Sequence, residues 1–338
     1  MGNLLSVVVS VYNEEAVLRQ FYGEAKKVLT AIDWDYELLF VNDGSRDKSL
    51  EILQELAAED AHVKIVSFSR NFGHEAAMIA GIDYSKGDGI ICMDADLQHP
   101  PECIVQIADK LDQGFEIINM VRTKNESAGW FKNLASSAFY KLINLLSDVK
   151  FENNASDFFA VSRRVAEVLK VSYREKVRFL RGYVQNVGFA KTTISYEAGI
   201  RAAGESKYSI RKLLQFSVNT IICFSNLPLK LGIYAGIMAA FLGVVVMVYT
   251  LFTRGGAPSG YATIVVLNCF MFAILFLIVG IMGEYMSILF AELKDRPIYI
   301  VAETKNIDCR ERKILPEGQD FAAEKRKEAD AGFGGHCD

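Results

Sequence analysis

Two carboxylates one residue apart, Asp94 and Asp96, close the apolar run "GIICMD" and open the stretch "MDADLQHPPE". At a strand end an i, i+2 pair can sit around one centre, and Gln98 adds an amide oxygen two residues on. Hard oxygen donors of this kind suit Mg²⁺ or Mn²⁺, which keep several waters and bind through one or two carboxylates plus substrate phosphates. Alone, an Asp-x-Asp triplet is more often a solvated turn than a site. Its position after an apolar strand and before Leu-Gln-His-Pro-Pro favours the cation. His99 is either a contact of that centre or a neighbour. Asp157, in "NNASDFFAVSRR", either caps a helix starting near Ser162 or serves in a site.

The elements that must position these groups alternate between strand and helix. "LLSVVVSVY" (Leu4–Tyr12) is a continuous apolar run of the kind buried in a parallel sheet. "NEEAVLRQFYGEAKKVL" follows with helical period, Asn13 standing as its expected N-cap. Strands are expected at Tyr36–Asp43, Val63–Ser69 and "GIICMD", with helices over "SRDKSLEILQELAAED" and "HEAAMIAGIDYS". This alternation predicts a doubly wound α/β sheet, in which ligands sit beyond the carboxyl ends of the strands. The polar clusters fall there: Tyr12-Asn13-Glu14, Asn42-Asp43-Gly44-Ser45, Arg70-Asn71 and Asp94-Ala95-Asp96. Neither G-x-G-x-x-G nor G-x-x-x-x-G-K-[ST] follows the first strand, which argues against a dinucleotide or a P-loop nucleotide. A nucleotide diphosphate bound here would have its charge met by a cation.

The net charge of −4 gives no basic footprint for nucleic acid. Six cysteines without a C-x-x-C pair argue against a zinc site or disulfide scaffold and fit a reducing compartment. Met1-Gly-Asn runs straight into strand-like sequence, so no cleaved leader is expected.

Two stretches read as membrane spans, "LKLGIYAGIMAAFLGVVVMVYTLF" and "YATIVVLNCFMFAILFLIVGIM", since a core of ~30 Å takes ~20 apolar helical residues. Basic residues flank the pair on the outside, at Lys207, Arg211, Lys212, Lys230, Lys294 and Arg296. The connector holds Arg254 alone. By the positive-inside rule both termini face the cytoplasm and the connector faces the other side. Before the first span, Ile210, Leu213, Leu214, Val218, Ile221 and Ile222 share a helical face beside basic residues, as in a helix lying at the headgroup plane or packed on the soluble part. "GWFKNLASSAFYKLINLLS" (129–147) has helical period and suits core packing or membrane contact equally. The expected organisation is therefore a catalytic domain over 1–205, an amphipathic helix over 206–228, and two spans within 229–282 (about 231–252 and 261–282). A return segment over 283–303 and a flexible charged tail over 304–338 complete it. Gly232, Gly236 and Gly243 offer small-residue faces where helices of a homo-oligomer could meet.

Several stretches together resemble one family: "VVVSVYNEE", "FVNDGSRDKSLEIL", "SFSRNFGHEAAMIAGIDYSKGD", "MDADLQHPPE", "FLRGYVQNVGF", "RAAGESKYSIRKL", "FSNLPLKLG" and "GEYMSILFAELKDRPIYIV". The chain resembles the family 2 glycosyltransferases of GT-A fold, in the branch that moves a sugar from a nucleotide diphosphate to a polyprenyl phosphate. The bacterial undecaprenyl-phosphate glucosyltransferases are closest in layout, with the dolichol-phosphate mannose synthases more distant. The resemblance implies an inverting hexosyltransferase, with UDP-glucose as first donor and UDP-GlcNAc, UDP-galactose or GDP-mannose left open. It also implies that Tyr12, Glu14 and Asp43 hold the nucleoside, that Asp94 and Ala95 line the diphosphate, and that Asp96 and Gln98, with Asp94, ligate Mg²⁺ or Mn²⁺. Asp157 falls at the family's proposed catalytic carboxylate, as a base or an orienting group, and works with Asp96 and Arg201. Arg122, Lys132, Arg201 and Lys207 match basic positions that meet the diphosphate or lipid phosphate. Relatives often have Asp where His99 stands, and "YxRxxR" where this chain has "YEAGIR". A processive polysaccharide synthase would need a Q-x-x-R-W sequence, which is missing. A membrane-anchored sugar-nucleotide-binding protein without activity would be expected to lose Asp94, Asp96, Asp157 or Arg201, all of which are present.

Overall fold

The computed structural model describes residues 3–123, 155–176, 179–199, 227–252 and 260–307. These fall into two compact units, one of 3–123, 155–176, 179–199 and 297–307, the other of 227–252 and 260–296. The expected amphipathic helix up to residue 226, the 129–147 stretch, Lys132, Arg201, Lys207 and the tail beyond 307 lie outside the described residues.

In the first unit the chain runs β1 (Leu4–Val11), α1 (Leu18–Leu29), β2 (Asp35–Asn42), α2 (Ser49–Glu59), β3 (Val63–Phe68), α3 (His74–Tyr84) and β4 (Gly89–Asp94). It continues through α4 (Cys103–Asp112), β5 (Ile117–Arg122), β6 (Ala155–Ser162), α5 (Arg163–Ser172), α6 (Leu180–Asn186), β7 (Lys191–Tyr196) and, near its end, β8 (Val301–Lys305). Among the described residues the strands form one sheet in the order β7-β5-β6-β4-β1-β2-β3-β8. The pairs β1–β2, β1–β4, β2–β3 and β5–β7 are parallel. β6 lies antiparallel between β4 and β5, and β8 antiparallel on β3. The 3-2-1-4 core is the doubly wound arrangement expected of the first four strands.

Period-2 alternation divides β1 between two faces. Leu5, Val7, Val9 and Val11 join Leu18 and Phe21 of α1, Leu53 of α2 and Ile104 and Ile107 of α4 in one core. Ser6, Val8 and Ser10 alternate with them, and α3 packs over β1 and β2. Each such Leu, Ile, Val or Phe contributes roughly 1.5–3 kcal/mol by leaving water. Both faces are covered, so the ligand site has only the strand ends left to occupy. Cys92 and Cys103 are buried unpaired thiols.

Asn13 is not the N-cap of α1. The helix begins at Leu18 behind Val17, while Asn13 sits at φ +56°, a conformation Asn tolerates well. Its Oδ1 accepts the Arg46 N–H at 2.8 Å, so the amide joins two loops rather than starting a helix. The expected tail boundary also moves. Thr304 and Lys305 belong to β8, and Asn306 Nδ2 donates to the Ala57 and Val63 carbonyls.

In the second unit α7 (Leu227–Phe252) has 26 residues and α8 (Tyr261–Leu293) has 33. One described helix segment is long and apolar enough to cross a bilayer, Phe270–Leu293, with mean hydropathy 2.1 and none of its most apolar stretch buried. The apolar stretch found in α7, Gly232–Val245, is shorter, so the helices as described do not establish a two-span hairpin. The second expected span, 261–282, is overrun. "GEYMSILFAEL" contains no proline to stop it, and the helix runs on until Lys294, with Asp295 at φ +42° beyond. The return segment thus begins as helix. Gly232 faces Ile278 of α8, which a Cβ would meet at 3.5 Å, an ordinary contact within the chain.

Candidate active site

Asp94 is the last residue of β4, in register with Ser10 of β1. Its backbone N–H donates to His99 Nδ1 at 3.0 Å. The ring must therefore carry its proton on Nε2, which lies 3.1 Å from Ser156 Oγ. Ser156 in turn meets the Phe158 N–H and the Tyr196 hydroxyl. His99 stacks on Phe158 at 4.9 Å and stands edge-on to Tyr196. Burial holds its pKa below the ordinary imidazole value, although Asp94, Asp96 and Asp157 pull the other way. His99 is thus a neutral strut that fixes the Asp94 backbone from inside the core.

The Asp94 carboxylate itself stays open, with 32% of the side chain exposed. Its Oδ1 lies 3.5 Å from His74 Nδ1, and His74 Nδ1 lies 3.1 Å from Ser10 Oγ. Burial opposes the charged form of His74, but Asp94, Asp157 and Glu75 outweigh it and its pKa is raised.

Beyond Asp94 the chain turns sharply. Asp96 Oδ1 accepts the Gln98 N–H at 3.1 Å, and Leu97 between them is held at φ +61°, a conformation uncommon for a side-chain-bearing residue and one that concentrates at functional sites. Gly199 locks this turn from the far side. It donates to the Gln98 carbonyl at 3.3 Å, and a Cβ there would come within 2.3 Å of the Leu97 oxygen. Gln98 Oε1 accepts from Arg122 Nη2 at 3.3 Å, so those two expected site residues come together. Ala95 is buried under the turn.

Asp157 lies on β6, not in a capping loop; Ser162 caps α5 with its own hydroxyl, which accepts the Val165 N–H. Arg181 of α6 grips Asp157 in a fork, Nε to Oδ1 at 2.9 Å and Nη2 to Oδ2 at 2.8 Å. Burial pushes the Asp157 carboxyl up, but Arg181, then His74 and His99, bring its pKa below the usual carboxylate value. Glu75 Oε2 accepts the Leu180 N–H at 3.1 Å. Burial, reinforced by the charge of Asp157, raises its pKa to about 7.

On the other flank the loops after β1, β2 and β3 are stitched together. Asn13 N–H donates to Ser45 Oγ and Glu14 N–H to Ser49 Oγ. The Asp43 carboxylate is buried and accepts the Phe72 N–H at 2.6 Å and the Gly73 N–H at 3.0 Å. Gly44, at φ +63°, passes so close to Arg70 that a Cβ would sit 2.4 Å from its carbonyl carbon. Tyr12 and Glu14 are partly exposed at this rim.

Asp94, Asp96 and Gln98 offer oxygen only, and Asp94 is open to solvent; this donor set fits a hard divalent cation. Among the described residues no three or more His, Cys, Asp or Glu side chains form a metal-holding group. Such a cation would complete its shell from waters and a ligand's phosphates. The residues that sequence reasoning missed are His74, Glu75 and Arg181. The first two follow the β3 loop directly, so their strand-end position was the available signal; Arg181, in a helix that follows another helix, carried none.

An α/β domain whose acidic groups gather at the carboxyl edge of a 3-2-1-4 sheet has the layout of a GT-A sugar-transferring enzyme. Residues 6–169 match the family described as Glycosyl transferase family 2. The "Uncharacterized glycosyltransferase YkcC" of Bacillus subtilis is 41% identical over 306 residues, covering 90% of this chain and 94% of that one. The "Bactoprenol glucosyl transferase" of Shigella phage SfII is 34% identical over 303 residues, covering 89% and 98%. A solved glucosyl-3-phosphoglycerate synthase from Mycobacterium tuberculosis, in complex with Mn²⁺, uridine diphosphate and phosphoglyceric acid, overlays at a TM-score of 0.45. Its identity is 20% over 65% of this chain and 77% of that one, too loose to carry any residue across. The chain belongs to the family 2 glycosyltransferases.

Proposed function

We propose that this enzyme transfers a hexose, glucose from UDP-glucose in the first instance, to undecaprenyl phosphate at the cytoplasmic face of a bacterial inner membrane, with inversion at the anomeric carbon. The observation that carries this reading is the junction of Asp94, Asp96, Gln98 and Arg122 with the Asp157–Arg181 pair in one strand-end cluster. The name of the phage relative supports the lipid acceptor. The exposed apolar side chains of α8, among them Phe272, Phe276, Met286 and Phe290, support contact with lipid.

A lipid phosphate is already anionic near neutral pH, its second pKa being about 6, so attack on the anomeric carbon needs little help from a base. Asp157, ion-paired and held in its charged form, is suited to orienting sugar or acceptor rather than to taking a proton. Tyr12, Glu14 and the Asp43 turn wall the nucleoside side, and Ala95 the diphosphate. Arg122 adds positive charge beside Gln98, and Lys132, Arg201 and Lys207 are assigned the remaining phosphate contacts. When bound by Asp94, Asp96 and Gln98, Mg²⁺ or Mn²⁺ supplies Lewis-acid stabilisation of the departing diphosphate.

The test is transfer of radiolabelled sugar to undecaprenyl phosphate by the full-length protein in vesicles. UDP-glucose, UDP-GlcNAc, UDP-galactose and GDP-mannose are offered in turn, with and without EDTA. Transfer from UDP-glucose that stops with EDTA and returns with Mg²⁺ or Mn²⁺ is expected. Preference for another donor corrects the sugar. Donor binding with no transfer from any of the four makes the protein a binding module and overturns the proposal.

A further inference from the structure

Arg181 is tied into the site from two sides. Its guanidinium holds both oxygens of Asp157, and the residue before it, Leu180, gives its N–H to Glu75 of α3. Three elements, β6, α6 and α3, thus meet through one guanidinium and two carboxylates. Arg181 keeps part of its surface in solvent, as does Asp157, and Asp157 feels the charges of His74 and His99, the neighbours of Asp94. A surface ion pair of this length would be worth little; a half-buried, bidentate one at a reacting centre fixes both the direction and the charge of its carboxylate.

We propose that Arg181 is a positioning residue for the transfer reaction, keeping Asp157 ionised and aimed, and that Glu75 seats Arg181 by holding the first turn of α6. The inference rests on the proposed role of Asp157 and names what that role depends on. The groups facing Asp157 are Arg181 from α6, His74 and Glu75 from α3, and His99 from the loop after β4. Among the described residues Arg181 is the one that bonds both carboxylate oxygens. Without it, burial acts on Asp157 with the strongest opposing charge gone, and the carboxyl pKa rises. Activity that needs the anion then gains an acid limb that the wild type lacks.

The experiment measures kcat for transfer to undecaprenyl phosphate from pH 5.5 to 9 in wild type, Arg181→Met, Arg181→Lys and the Arg181→Met/Asp157→Asn pair. The variant-to-wild-type ratio cancels the acceptor's own titration. For Arg181→Met the ratio should fall roughly 100-fold near pH 6, the scale of a misplaced reacting group, and recover severalfold toward pH 9. For Arg181→Lys, which keeps the charge but not the fork, the ratio should be lowered and level, and in the double variant level as well. A level ratio for Arg181→Met, or undiminished activity, overturns the proposal. A second readout needs no turnover. Asp157, depressed in the folded state, contributes stability above its unfolded pKa, and that contribution fades as pH falls through its folded value. That wild-type contribution is complete above the unfolded pKa, whereas Arg181→Met, with its Asp157 carboxyl raised, loses stability as pH climbs from the unfolded pKa through the raised one, so the Tm gap should widen from pH 4 to pH 8. A constant gap overturns the ion pair itself, whereas a wild type that widens the gap but transfers nothing overturns the functional reading and leaves the pair standing.

Discussion

The sheet carries an acid at each of its ends, and the two are treated in opposite ways. At the entry end Glu37 is 3% exposed in its side chain and Lys64 16%. Ser6 Oγ donates to Glu37, Lys64 Nζ pairs with it, and the Lys86 N–H adds a third bond at 2.7 Å. At the carboxyl end Asp94 keeps a third of its side chain in water and faces His74 and His99 at 3.5 and 3.8 Å, too long for a firm bond. The first acid is spent on structure. The second is braced through its backbone while its carboxylate stays partly in solvent. A saturated carboxylate welds strands together; one that is held but unsaturated can take a cation.

The largest expected effect separates these roles by rate. Asp94→Asn and Asp96→Asn each remove an anionic oxygen from the proposed metal centre, and kcat should fall by on the order of 10³-fold, the upper scale for losing one electrostatic stabiliser. Their Tm should hold, because asparagine keeps each side chain's shape and the oxygen that in buried Asp96 accepts the Gln98 N–H. Sugar-transfer assays paired with thermal unfolding check this. Unchanged turnover with lowered Tm would make the carboxyl-end pair structural, and the contrast with Glu37 would vanish.

Much of this contrast could be read in the chain beforehand. Strand-end positions for Asp94, Asp43 and Tyr12 follow from unbroken apolar runs of fixed length, and the winding follows from alternation of those runs with helical period. What stayed hidden needs three-dimensional partners. Nothing local in "FLRGY" says that Arg181 will meet Asp157, 24 residues earlier. Asn13 looked like a cap because capping is a local pattern, yet a tertiary bond to Arg46 decided its conformation. The length of α8 is hidden for a related reason, since hydropathy marks where a bilayer could end and not where a helix stops.

The next effect is nearly as large but falls on stability. Glu37→Ala leaves Lys64 with its charge in a mostly dry site, and breaking one side of a buried pair costs about 3–5 kcal/mol. Chemical unfolding should show that loss. The folded fraction should turn over at close to the wild-type kcat, because Glu37 stands at the end of the sheet away from the site. A kcat drop in proportion to Asp94→Asn would mean that the two ends are coupled.

His99 belongs to neither class, and the smallest predicted effect tests that. Its ring packs as a core side chain against Phe158 and Tyr196, while its Nδ1 receives the N–H of Asp94. His99→Phe keeps the ring and removes both nitrogens, leaving the Asp94 N–H and Ser156 short of a partner at about 1–3 kcal/mol for the buried donor. Stability should drop by that amount, and kcat by roughly 10-fold, the lower end of what loss of an orienting partner costs a metal site. KM for the lipid should move little, since the partners His99 bonds, Asp94 and Ser156, are not among the groups assigned to the acceptor. A stability loss with intact kcat would show that the Asp94 backbone needs no strut, and that the open carboxylate is positioned by the β1–β4 register alone.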